Sequence, residues 1–268
     1  MKVAIQTLDG KPSGQTTLPK QFEEPVRFDL IKRAVLSLQS AARQPYGADP
    51  QAGKKHATDI SRRRRDYKGS YGKGISRVPR KTMSRNGGNF NWEGALAPGT
   101  RGGRRAHPPK VSTVRYRKLN TKENRKAIRA AISATLDKEL VSKRGHAIPA
   151  AYPFVVADSL EQLTKTKELR AALTQLGLGD ELARAAIPSR RSGRATMRGR
   201  TRKQRTSVLL VTSADAPVML AAKGIPGVNA VPVNALNAQI LAPGTHPGRL
   251  SLFTSGAIKQ MEEKQLFL

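Results

Sequence analysis

Residues 207–212 read Ser-Val-Leu-Leu-Val-Thr and residues 153–158 read Pro-Phe-Val-Val-Ala-Asp, two short runs that are apolar without alternation. A strand of this kind is buried on both faces, as when helices cover both sides of a mainly parallel sheet. The flanking residues agree with that reading. Asp158-Ser159 is placed to cap a short helix after the first run, and a helix over about 216–222 follows the second. Between the runs lie helical patterns at about 167–176, closed by Gly177, and 180–187, closed by Pro188. Val228–Val233 and Leu250–Phe253 are further short strands, and a last helix begins near Thr254.

Towards the N-terminus, Asn120-Thr-Lys-Glu123 has the capping-box spacing. The helix it opens carries Ala127, Ile128, Ala131, Ile132, Thr135, Leu136 and Leu140 on one stripe and ends at Lys143-Arg144-Gly145. Lys2–Leu8 alternates like a strand, Asp9-Gly10 is a turn signal, and Thr16–Leu18 returns as the second strand. Residues 18–27 form a connector. Asp29 then caps a helix to about Ala42, with Leu30, Ile31, Ala34, Val35 and Leu38 on one face. The fold class expected is α/β, a three-layer sandwich around a mainly parallel sheet.

Residues 43–118 do not fit that scheme. Of the chain's 49 Lys+Arg and 19 Asp+Glu, this segment holds 20 and 4, a net charge of +16 over 76 positions. A second run, 189–206, holds 8 basic residues and no acid. The remainder has 21 basic and 15 acidic residues, or +6 over 174 positions. The organisation expected is therefore residues 1–42 and 119–268 as one globular α/β domain. A long extended basic loop at 43–118 is inserted near its N-terminus, with a second basic loop at 189–206. Aliphatic residues are too sparse in 43–118 to offset the entropy of ordering it, so alone it is expected to be disordered. Doubled back on itself, such a loop reaches on the order of 100 Å at most.

So strong a charge suits a dense polyanion, with nucleic acid the first choice and an anionic membrane surface the second. No apolar run approaches the roughly 18 residues of a membrane span. The N-terminal residues are too polar for a signal peptide. With no cysteine there are no disulfides and no thiolate chemistry. A cytoplasmic protein is expected.

Catalytic signatures are sparse. Asp158 and Asp215 fall near strand ends, where α/β enzymes bind ligands, but both read more simply as helix caps. His56, His107, His146 and His246 have no metal-ligand spacing and read as surface or RNA-contacting residues. Gly69-Ser-Tyr-Gly-Lys-Gly74 is glycine-rich, but it has the wrong order for a phosphate loop and follows no strand.

The basic stretches are the better site candidates. In the first, Lys54, Lys55, Arg62, Arg63, Arg64, Arg65, Lys68, Lys73, Arg77, Arg80, Lys81, Arg85, Arg101, Arg104, Arg105, His107 and Lys110 are the expected phosphate contacts. Arginine's planar fork also stacks on bases. Six of the twelve aromatics (Tyr46, Tyr67, Tyr71, Phe90, Trp92, Tyr116) lie in this same stretch. With no core to fill they are expected to stack on bases or riboses, Tyr67, Tyr71 and Trp92 above all. In the second run the candidates are Arg190, Arg191, Arg194, Arg198, Arg200, Arg202, Lys203 and Arg205. The bland alternative is a solvated charged loop or a localisation signal, which the interleaved aromatics disfavour.

Several stretches resemble a known family in their order and spacing. They are Leu18-Pro-x-x-Phe-x-x-Pro-Val-Arg-x-Asp-Leu-Ile31, Ala106-His-Pro-Pro-Lys110, Arg144-Gly-His146, Arg198-Gly-Arg200, and Leu241-Ala-Pro-Gly-x-x-Pro-Gly-Arg-Leu250 followed by Phe253-Thr. Together they look like the archaeal/eukaryotic branch of the universal large-subunit ribosomal protein L-four family. The resemblance implies a non-enzymatic structural constituent of the large subunit that binds rRNA and supports assembly. It implies a loop tip around Thr82–Trp92, at Met83, Ser84, Arg85, Asn86, Gly87 and Gly88, helping to line the peptide exit tunnel. The tip wording Met83–Trp92 departs from the family pattern. Expected partners are large-subunit rRNA, neighbouring ribosomal proteins and the nascent peptide, with no membrane and no self-oligomer. No cofactor is expected beyond Mg2+ as a counterion of the RNA, and no metal site. Two rivals stay open: a chromatin-type DNA-coating protein, and an RNA-modifying enzyme built on the α/β domain.

Overall fold

A computed structural model describes all 268 residues. The chain divides into two compact units, one comprising Met1–Ala42 with Tyr116–Leu268 and the other Arg43–Arg115. In chain order the elements are β1 (Lys2–Gln6), β2 (Pro12–Thr17), α1 (Phe28–Ala41), β3 (Arg80–Asn86), β4 (Asn89–Gly94), α2 (Thr121–Ser133) and α3 (Lys138–Lys143). Then come β5 (Val155–Val156), α4 (Thr166–Leu173), α5 (Gly179–Ala186), β6 (Ser189–Arg190), α6 (Arg194–Met197) and β7 (Arg202–Lys203). The chain closes with β8 (Leu209–Thr212), α7 (Val218–Lys223), β9 (Asn229–Pro232), α8 (Ala238–Leu241), β10 (Ser251–Phe253) and α9 (Ser255–Glu263).

The first unit is mixed α/β. It holds a sheet of order β2-β1-β5 and another of order β10-β8-β9. β1 pairs antiparallel with β2 and parallel with β5, while β8 pairs parallel with both β9 and β10. A single parallel bridge between Val156 and Thr254 joins β5 to the end of β10. Successive side chains along a strand point to opposite faces, as the period of two requires. Val155, Leu209, Val211 and Phe253 pack with Ile31, Val35 and Ile128 of α1 and α2. Val156, Leu210 and Leu252 pack instead with Leu169, Leu173 and Ala221 of α4 and α7.

The helix ends differ from the sequence reading in instructive ways. Asp29 is not a cap: α1 starts at Phe28, and Asp29 pairs with the N-cap residue Arg27 at 2.6 Å. Asn120 occupies the N-cap of α2 without a side-chain bond, and Glu123 faces Arg33 at 3.5 Å instead of closing a capping box. The long helix expected from 121 to 144 is broken into α2 and α3. Thr135 bonds back to the Ile132 carbonyl at 2.6 Å, and Asp137 restarts the helix by accepting from the Glu139 and Leu140 amides. Asp158 caps no helix of its own; its Oδ1 accepts the Gly256 amide in α9 at 2.6 Å. Nor does Asp215 cap α7, whose N-cap is Pro217.

Candidate nucleic-acid interface

In the Arg43–Arg115 unit the two legs run back beside each other. The guanidinium groups of Arg115 and Arg43 stand over the Tyr46 ring, 3.9 and 5.3 Å from its centroid. The Ala48 amide donates to the Pro109 carbonyl at 2.9 Å. At Gly53 the legs come so close that a Cβ would sit 2.6 Å from the Arg104 backbone, and its φ of +73° suits only glycine readily. Asp59 then bridges to Arg80, where β3 begins. β3 and β4 form an antiparallel hairpin that pairs Arg85 with Phe90 and Asn86 with Asn89 around Gly87-Gly88. Met83 is the extra residue of a bulge between Thr82 and Ser84.

What replaces an aliphatic core here is a set of aromatic and cation contacts. Tyr67 meets Phe90 edge-on at 5.4 Å, and Phe90 stacks on Trp92 at 5.2 Å. Lys73 and Arg80 stand over Trp92 at 5.9 and 5.5 Å. Tyr71 is approached by Arg64 and Arg77, both at 4.9 Å, and Arg64 also donates to its hydroxyl at 3.0 Å. Arg85 donates to the Tyr67 hydroxyl at 2.7 Å. Each exposed cation–aromatic contact contributes about 0.5–1 kcal/mol, so together they offset part of the ordering entropy. The aromatics nominated for base stacking thus already have ring or guanidinium partners within their own unit. Tyr116 lies in the other unit.

The nominated cations are otherwise unneutralised. Lys54, Lys55, Arg62, Arg63, Arg64, Arg65, Lys73, Arg77, Arg85, Arg101, Arg105, His107 and Lys110 are exposed, as are Tyr67 and Tyr71. Lys68, Arg80, Lys81, Trp92 and Arg104 are half-buried. Only Lys55, with Asp49 at 2.8 Å, and Lys81, with Glu93 at 3.9 Å, have ion-pair partners. The tip residues Met83, Ser84, Arg85, Asn86, Gly87 and Gly88 are all exposed.

The second basic run has a small framework of its own. β6 and β7 pair Ser189 with Lys203 and Arg190 with Arg202, and the one-turn α6 sits at the far end. All eight basic residues of the run (Arg190, Arg191, Arg194, Arg198, Arg200, Arg202, Lys203, Arg205) are exposed, and none has an ion-pair partner.

A sequence model of the ribosomal protein L4/L1 family matches residues 16–264. The chain belongs to this family. It is 44% identical over 268 residues, all of both chains, to the large ribosomal subunit protein uL4 of Nanoarchaeum equitans. It is 43% identical over 264 residues to the protein of the same name from Methanoculleus marisnigri, covering 98% of this chain and 99% of that one. To that of Archaeoglobus fulgidus it is 40% identical over 264 residues, with the same coverage. These relatives are named as ribosomal proteins, not enzymes.

In this L4/L1-family chain the Arg144-Gly-His146 stretch turns out to be structural. His146 is buried, not at the surface, and its Nδ1 lies 2.8 Å from Glu181 Oε1. Glu181, wholly buried, also accepts from the Ala147 amide (2.9 Å), Ser207 Oγ (3.0 Å) and both Nε and Nη2 of Arg184 (2.7 and 2.6 Å). Burial pushes its carboxyl up, but hydrogen bonds from Arg184, His146 and Ala147 outweigh this and hold it at about 2. Arg249 is buried too, donating to the Ser207 and Ile240 carbonyls and to Asn229 Oδ1. Sequence reasoning missed Glu181, Arg184 and Arg249. The available signal was an acid on the apolar stripe of α5, beside Leu182 and Ala185.

The described residues hold no group of three or more His, Asp or Glu that could bind a metal ion, and no helix long and apolar enough to cross a membrane.

Proposed function

We propose that the chain is a structural constituent of the large ribosomal subunit in the cytoplasm. The unit Arg43–Arg115, with the residues up to 118, acts as an rRNA-binding finger, and the run 189–206 binds rRNA as a second loop. The observation that carries this reading is the row of cations along a paired two-legged finger, nearly all without acidic partners, in a chain whose residues 16–264 match the L4/L1 family. Unpaired arginines on a framework of aromatic contacts are set to exchange solvent for phosphate at low ordering cost. The hairpin tip from Met83 to Gly88 would help line the peptide exit tunnel and meet the nascent peptide. The remaining partners are neighbouring ribosomal proteins, with Mg2+ entering only as a counterion of the RNA. The role is assembly and scaffolding, not catalysis. For the fold, we read the two small sheets as one mainly parallel sheet between helix layers. The Val156–Thr254 bridge and the two apolar clusters support that reading.

Sucrose-gradient fractionation of cells producing a tagged chain tests the proposal. Co-migration with large subunits is expected; migration with free small-subunit particles or chromatin, and absence from large subunits, would overturn it.

A further inference from the structure

A cleft of about 450 Å³ opens on the globular unit, beside the end of the second basic run. Phe28, Leu140 and Pro247 supply its apolar walls, and Lys143, Arg144 and His246 its polar ones. Thr206, at the end of the second basic run, also lines it.

The cleft is built by specific contacts. Arg144 Nη2 donates to the Pro243 carbonyl at 2.8 Å and Nη1 donates to that of His246, so one guanidinium fixes the turn carrying the His246 wall. Within that turn Thr245 is held at φ +73°, a left-handed conformation that β-branched residues rarely adopt. Gly248 then passes so close to α3 that a Cβ would lie 2.8 Å from the Leu140 carbonyl, which seats the loop against that helix. Phe28, also lining the cleft, stands at the first position of α1 with 54% of its surface exposed. A solitary exposed phenylalanine means little. One that shares a cleft with Lys143 and Arg144, and with no acidic lining residue, offers a ring face beside cationic side chains. Of the two acids adjacent in sequence to lining residues, Asp29 is paired with Arg27, and Glu139, next to Leu140, does not line the cleft.

We propose that this cleft takes one extruded nucleotide of the bound RNA, its base stacked on Phe28 and its phosphate on Lys143. The volume is in the range of small-ligand sites and suits a single nucleotide. Position supports the same occupant: Thr206 links the cleft to the run 189–206, so RNA following that loop is led to it. The inference rests on the RNA-binding reading above and adds a site to it.

The test places a reporter at the platform. Trp92 is the only tryptophan, so the full chain carrying Phe28→Trp and Trp92→Phe has a single tryptophan in the cleft. Titration with a single-stranded adenylate hexamer should quench its fluorescence saturably. Lys143→Ala in that background should weaken the quenching about fivefold or more, the low end for one stacked, phosphate-anchored base. Filter binding of large-subunit rRNA to the same variants separates the two readings. If rRNA still binds but the hexamer leaves the tryptophan unquenched, the cleft proposal fails alone. Loss of rRNA binding by the unsubstituted chain sinks the underlying reading. Quenching by an acidic peptide but not by the hexamer would assign the cleft to a protein partner and overturn the proposal.

Discussion

His146 Nδ1 and Glu181 Oε1 meet at 2.8 Å in the interior of the globular unit, 35 residues apart in sequence. The carboxylate can only accept, so the imidazole proton belongs on Nδ1. Arg184 completes the arrangement by donating to both carboxylate oxygens and to the Thr206 carbonyl at 2.7 Å. The base of the second basic loop is therefore tied to α5 through a charge that the core could not otherwise hold.

Acid should loosen this tie in two overlapping steps. Burial lowers the affinity of His146 for a proton, against the pull of Glu181, so the folded state favours the neutral ring. Glu181 is held at about 2, below its unfolded range of roughly 4.3. A depressed carboxyl stabilises the fold above its unfolded value and loses that stability as pH falls towards its folded one; the depressed histidine likewise opposes folding as pH drops below about 6.5. Thermal unfolding should show stability falling from about pH 6.5 downward. Glu181→Gln should remove on the order of 2–4 kcal/mol at pH 7 and flatten the acid limb. An unchanged limb in that variant would show that the stability loss in acid arises elsewhere.

Arg249 presents the opposite case, a buried cation hydrogen-bonded to oxygens of Ser207, Ile240 and Asn229 and to no carboxylate. Burial, with Arg144 nearby, lowers its pKa to about 10, so it stays charged at neutral pH. Arg249→Ala should cost about 3 kcal/mol, because the acceptors it leaves are buried. Arg249→Lys should recover little of this, since a point charge cannot span three acceptors. Denaturant unfolding of the two variants measures both.

Deleting Arg62–Gly103 should leave the globular unit cooperatively folded, with a melting temperature within a few degrees of the full chain. Its two apolar clusters draw no residue from 43–115. Large-subunit assembly in cells carrying only this variant should be impaired. Non-cooperative melting of the purified variant would contradict an independent globular unit.

The four arginines Arg62–Arg65 are exposed and lack ion-pair partners. Replacing all four with glutamine should reduce the slope of log K against log salt for rRNA binding by up to about 3, at roughly 0.7–0.9 per lost phosphate contact. An unchanged slope would mean that these side chains do not meet phosphate.

The two apolar strand runs around Val155 and Leu209, the stripe of α1 and the turn at Asp9-Gly10 were all legible in the sequence, because local periodicity and turn chemistry carry them. The strands proved shorter than their apolar runs: only Val155–Val156 and Leu209–Thr212 pair in ladders. α8 and the break between α2 and α3 were not legible, since four-residue elements and single caps leave little periodic trace. The pairing of the finger's two legs was not legible for a different reason. Its stabilising pairs join Tyr46 to Arg115 and Gly53 to Arg104, contacts that no window along the chain contains.

By itself the sequence determined where the charge lies and that 43–118 and 189–206 differ in kind from the rest. Those are properties of composition and need no fold. Only the tertiary structure decided that the aromatics of 43–115 pair with each other and with arginines. It alone buried His146, which the sequence placed at the surface, and brought Phe28 and His246 into the lining of one cleft. Each of these depends on distances between segments far apart in the chain, and such distances are set only once the apolar core has packed.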